Sequence, residues 1–132
     1  MFSTVSIERE LIKKEKYKKL YTELTFDEVA KVNGVLLEAL LKLDKVCREN
    51  NLKYMLFAGG LIGAVRNGRC IPWDDDIDVS MKMDDYLRFK EVCAQELDAK
   101  YFYQDWESDP YYYSSWAKIR INDTTSVMAD MV

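Results

Sequence analysis

The 132 residues bound this chain to one domain with a modest hydrophobic core. Apolar residues at 48% and charged residues at 32% give the balance of a soluble globular protein, not a disordered one. The formal net charge of -4 speaks against the basic face of a general nucleic-acid binder, and no nucleic-acid partner is expected. The absence of histidine removes Ser-His and Cys-His nucleophiles and His-rich metal sites together. Acid-base or metal chemistry must then rest on Asp, Glu, Lys, Tyr or Cys. Cys47, Cys70 and Cys93 form no C-x-x-C pair and read as free thiols in a reducing cytoplasm. The N-terminus lacks the apolar core of a signal peptide. The longest apolar-dominated stretch, "VLLEALLKL", falls well short of the roughly 20 residues of a membrane span, so no transmembrane segment is expected.

In chain order, residues 1–24 are rich in Lys and Glu and read as a solvated charged helix or arm, leaving 25–132 as the core. "TFDE" offers Thr25 as an N-cap with Glu28 three residues on, the pattern of a capping box. Val29, Val32, Leu36, Leu40, Leu43 and Cys47 then recur at steps of three and four, which predicts an amphipathic helix. It should end near "RENN", with Asn50 or Asn51 taking the final turn.

"KYMLFAGG" reads as a strand ending in glycines, and "LIGAVRNG" as a short helical turn closed by Gly68. "RCIPWDDD" is a loop, because Pro72 forbids a central strand. "IDVSM" is a second strand. "DDYLRFKEVCAQEL" places Tyr86, Phe89, Val92, Cys93 and Leu97 at helical spacing, with Asp84 or Asp85 able to cap or charge its start. "KYFYQDW" and "WAKIRIND" are two further strands around the loop "ESDPYYYSS", and "SVMADMV" can begin another. The order predicts an α+β (α/β-type) domain, a small mixed sheet flanked by helices.

Four aspartates crowd positions 74, 75, 76 and 78. Such a cluster belongs in water or around a cation. On a strand, Asp76 and Asp78 project to one face while Ile77 and Val79 face the core. Paired carboxylates suit a hard divalent ion such as Mg²⁺, which takes one or two of them together with substrate phosphates. Asp74 shares their parity, whereas Asp75 points away and reads as a solvated or capping residue. Upstream, Gly59 and Gly60 let backbone approach a phosphate where a helix begins. Trp73 and Cys70 read as packing residues. The cluster "DPYYYSSW" has the composition of an aromatic cage for a quaternary ammonium, although aromatic clusters mostly pack.

The stretch "YMLFAGGLIGAVRNGRCIPWDDDIDVSM" resembles the signature of the LicD family, in which Gly-[Thr/Gly]-Leu-[Leu/Ile]-Gly leads to Ile-Pro-Trp-Asp-x-Asp-[Ile/Val]-Asp. "LDKVCRENNLKY" before it and "WAKIRINDTTSV" after it are similar to the family's flanks, so the likeness runs from about Phe26 to Val127. It implies a nucleotidyltransferase-like fold and transfer of phosphocholine from CDP-choline, or of an alditol phosphate from a CDP-alditol. The acceptor would be a hydroxyl of a cell-surface glycan or glycolipid. By position, Asp76 and Asp78 would be the catalytic, metal-holding pair, with Mg²⁺ (or Mn²⁺). Gly59 and Gly60 would line the donor pyrophosphate, and Arg66 is a candidate phosphate contact. Lys118, on the polar face of its strand, can also reach a phosphate. Gly60 stands where the family usually has Thr. The family's third carboxylate is expected on a later strand, in a "GIFIDIFP"-like segment that this chain does not reach, and Asp130 lacks that context. The chain is therefore expected to be the N-terminal half of a longer type. Two alternatives stay open: a nucleotidyltransferase of the antibiotic-adenylyltransferase kind, and a non-catalytic interaction module.

Overall fold

The computed structural model describes residues 25–124. The charged arm and the strand expected in "SVMADMV" lie outside these residues.

Helix α1, Phe26–Glu49, starts as its sequence dictates. Thr25 Oγ1 accepts from the Glu28 N–H at 3.3 Å, and Glu28 Oε2 accepts from the Thr25 N–H at 2.8 Å. Two otherwise orphan donors are thereby satisfied. Both asparagines take part in the other end: Asn50 is the C-cap and Asn51 turns left-handed, φ 52°. Asn51 N–H then reaches the Arg48 carbonyl and Leu52 N–H the Cys47 carbonyl, the two bonds of a Schellman close. Leu52 is thereby driven into the core, where it is buried. The apolar stripe of α1 is unevenly used: Leu43, Val46 and Cys47 are buried, while Val29, Val32, Leu36 and Leu40 are half-buried.

Strand β1, Tyr54–Leu56, leads into α2, Ala58–Asn67. After a loop come β2, Val79–Met81, and α3, Met83–Glu96. Strands β3, Tyr101–Gln104, and β4, Lys118–Ile121, follow. Asp84 and Asp85 charge the first turn of α3 but do not cap it; the N-cap is Lys82, without a side-chain bond. The class is α+β. Among the described residues the strands form two antiparallel pairs, β1 with β2 (Tyr54 opposite Met81) and β3 with β4 (Tyr101 opposite Ile121).

The helices α1 and α3 make the centre: Leu43, Val46, Cys47, Leu52, Phe89 and Cys93 are mutually packed. Each strand pair contributes one edge of that core, Tyr54, Val79 and Met81 from the first and Tyr103 and Ile119 from the second. Phe89 meets Tyr103 edge to face at 6.3 Å, and the Tyr103 hydroxyl donates to Tyr86 at 3.0 Å. Burial pushes the Cys47 and Cys93 thiols up to about 11 and about 12, which keeps them protonated and inert. No described helix is long and apolar enough to cross a membrane.

Candidate active site

The chain leaves β1 and turns at once into α2. Phe57 N–H still pairs with the Asp78 carbonyl at 2.9 Å, extending the ladder by one bond. Ala58 then takes φ 41°, a left-handed conformation rare for a residue with a Cβ, and opens the helix. Gly59 and Gly60 therefore belong to the first turn of α2 and not to the end of a strand. The pairing explains the boundary on the other side too. Because β1 stops at Leu56, nothing pairs with Asp76 and Ile77, and β2 begins only at Val79. Asp76 and Asp78 accordingly sit in the segment that approaches β2.

Gly68 ends α2 in the left-handed region, φ 63°, and the chain doubles back. Pro72 and Trp73 form a turn closed by Asp74 N–H on the Ile71 carbonyl, 3.1 Å. Residues 69–78 thus run back along α2 toward its start. The glycines make that approach possible. A Cβ on Gly60 would stand 3.1 Å from both the Asp78 carbonyl and Ile77 Cγ2, and one on Gly59 would run into the Asp74 carboxylate.

The carboxylates that gather most closely are Asp74, Asp75 and Asp76, each offering an oxygen within 4.8 Å of the others. Asp75, which its parity placed apart, is thus drawn into the group. Asp78 lies just outside it and still acts on its neighbours. Burial, then Asp75 and Asp78, push the Asp74 carboxyl up from its ordinary value, against a backbone bond from Asp75. Burial, then Asp78, Asp74 and Asp75, push Asp76 up in the same way, with Lys118 pulling it back down. Crowded oxygens and raised carboxyls suit a divalent cation, a counter-charge that Lys118 supplies to Asp76 only in part.

Beside the cluster lies a cleft of about 230 Å³. Leu37 and Leu40 of α1 form one wall, and Gly59, Gly60, Asp74 and Asp76 the polar side. Arg69 and Cys70 also line it. Arg66 does not. Its guanidinium lies 5.9 Å from the centre of the exposed Trp73 ring and bonds Asn67. Arg69 was missed in the sequence because nothing local distinguishes a basic residue after Gly68; only the chain reversal brings it to the cleft. The aromatic loop is largely exposed at Trp106, Tyr111, Tyr113 and Trp116, and Tyr112 and Tyr113 lie tilted at 6.2 Å.

Residues 51–131 match the family described as LicD/FKTN/FKRP, nucleotidyltransferase domain. The lipopolysaccharide cholinephosphotransferase LicD of Haemophilus influenzae is 45% identical over 67 residues, 51% of this chain and 25% of that protein. An uncharacterized protein of Rickettsia prowazekii is 33% identical over 81 residues, 57% of this chain and 30% of its own length. The matched stretches thus span less than a third of these relatives. No solved structure matches the chain.

Proposed function

The chain belongs to the LicD/FKTN/FKRP nucleotidyltransferase-domain family, and from that premise we propose that it serves a phosphotransferase that modifies a cell-surface glycan. In this reading phosphocholine, or an alditol phosphate, passes from a CDP-linked donor to a sugar hydroxyl. The relative's printed activity supports the choice of phosphocholine. The observation that carries the reading is the acidic loop folded against the start of α2 on the wall of a cleft.

Asp76 and Asp78 would hold Mg²⁺ (or Mn²⁺), with an Asp74 oxygen beside Asp76. When bound, the ion would neutralise charge developing on the CMP leaving group. The N–H groups opening α2, at Gly59 and Gly60, lack intrahelical partners and favour the donor's pyrophosphate. Arg69, on the cleft, takes the phosphate-contact role in place of Arg66. Lys118, which acts on Asp76, adds positive charge on the strand side. The acceptor oxygen bonds to the distal phosphorus in line as the phosphorus–oxygen bond to CMP breaks and the hydroxyl proton passes to solvent, so positioning and electrostatics carry the rate. The three free cysteines suit the reducing cytoplasm in which this reading places the protein.

The test is incubation with Mg²⁺ and either CDP-choline or ATP. Release of CMP supports the reading. Pyrophosphate from ATP would favour a nucleotidyltransferase of the adenylyltransferase kind. No turnover and no CDP-choline binding that Asp76→Asn weakens would leave a non-catalytic interaction module.

A further inference from the structure

Gly63 is the buried residue of α2, one turn beyond Gly59 and facing the returning loop. A Cβ there would stand 2.7 Å from the Arg69 carbonyl oxygen, 3.0 Å from Ile71 N and 3.3 Å from the Cys70 carbonyl carbon. All three are backbone atoms, so no side-chain rotation can relieve the collision; the loop itself would have to move. Arg69 N–H reaches the Gly63 carbonyl at 3.4 Å, so the same residue also draws the loop in. Ile71, next along, is buried. The Ile71 carbonyl accepts from the Asp74 N–H three residues on, closing the turn that presents Asp74.

The geometry points to Gly63 as a positioning residue: its missing side chain sets the depth at which residues 69–74 lie on α2, and so places the carboxylates of Asp74 and Asp76 at the cleft. This rests on the reading of the acidic loop as a cation site. Gly63 touches no ligand itself in this account. It acts through Ile71 and the Pro72–Trp73 turn. A Cβ on Gly63 presses on Ile71 N itself as well as on the Arg69 carbonyl, and because Asp78 is held at the far end by the Phe57 N–H, residues 72–77 must take up the displacement.

The test uses Gly63→Ala, alone and together with Gly34→Ala. A Cβ on Gly34 meets nothing within 4 Å in the middle of α1, so that change raises the melting temperature without touching the loop. Two readouts are taken: Mn²⁺ affinity, and the rate at which a disulfide reagent modifies Cys70, which is partly exposed where Cys47 and Cys93 are buried. The Gly34→Ala/Gly63→Ala protein is expected to bind Mn²⁺ at least about tenfold more weakly than Gly34→Ala alone, as when a residue supporting a ligand is lost. Its Cys70 rate should change severalfold while Cys47 and Cys93 stay protected. Folded double variant with parental Mn²⁺ affinity and parental Cys70 rate would overturn the proposal. So would general exposure of Cys47 and Cys93, which would make Gly63 an ordinary packing residue. A shifted Cys70 rate in proteins that bind no Mn²⁺ in either form would uphold the positioning role and sink the metal reading instead.

Discussion

The carboxylate of Asp74 occupies the space above Gly59 that any side chain there would fill. One residue thus decides where the other's charge can go. Gly59→Ala should leave the fold intact, because the obstructing atoms are the far end of a flexible side chain, and helix propensity offsets part of any cost. Asp74 should swing away from Asp76. The expected outcome is thermal stability within about 1 kcal/mol of the parent and a severalfold weaker Mn²⁺ affinity, read by calorimetry and thermal unfolding. Unchanged affinity would show that Asp74 has no share in the site.

Asp76 is exposed as a residue, yet its carboxyl is raised by desolvation and by the charges of Asp78, Asp74 and Asp75. For a carboxyl raised on folding, the stabilising contribution is present below its unfolded value and lost as pH rises through the folded one. At neutral pH and without metal the ionised group therefore works against folding. Asp76→Asn should stabilise the metal-free protein by about 0.5 kcal/mol at neutral pH, a small figure because solvent screens the cluster. The gain should vanish in acid. Denaturant titrations of both proteins at two pH values check the sign, and a loss of stability at neutral pH would contradict it.

Asp105 behaves oppositely. Burial raises its carboxyl, but Lys90 and the N–H groups of Ser108 and Glu107 outweigh that and hold it below the ordinary value of 3.8. Lys90 Nζ lies 2.7 Å from Asp105 Oδ2, joining α3 to the loop after β3. Stability from this group is complete above the unfolded value and lost as pH falls through the lower folded one. Asp105→Asn should cost about 2 kcal/mol at neutral pH, and the gap from the parent should close on acidification. Denaturation across an acidic pH series measures it; a gap that widens toward acid would refute the assignment.

What the sequence disclosed, it disclosed through local chemistry. The Thr25–Glu28 capping box follows from side chains acting on their own backbone, and the left-handed Asn51 and Gly68 from residue types that tolerate positive φ. The acidic motif was legible because its residue types and order are specific. Strand lengths were less so, since a strand lasts only as long as its partner: Asp76 and Asp78 fall outside β2 because β1 ends early for α2. Among the described residues the strands of the expected mixed sheet form two separate antiparallel pairs. Arg69 on the cleft, Asp75 among the clustered oxygens and the contact of Gly63 with the loop all depend on the chain doubling back after Gly68, which periodicity does not report.

The central claim, that the acidic loop is a divalent-cation site for a CDP-linked donor, is tested most directly by titrating Mn²⁺ into the chain with CDP-choline present. Binding should be saturable, and Asp76→Asn and Asp78→Asn should each weaken it by at least about tenfold, as expected for loss of a ligand. Absence of binding, or binding that neither substitution alters, would contradict it.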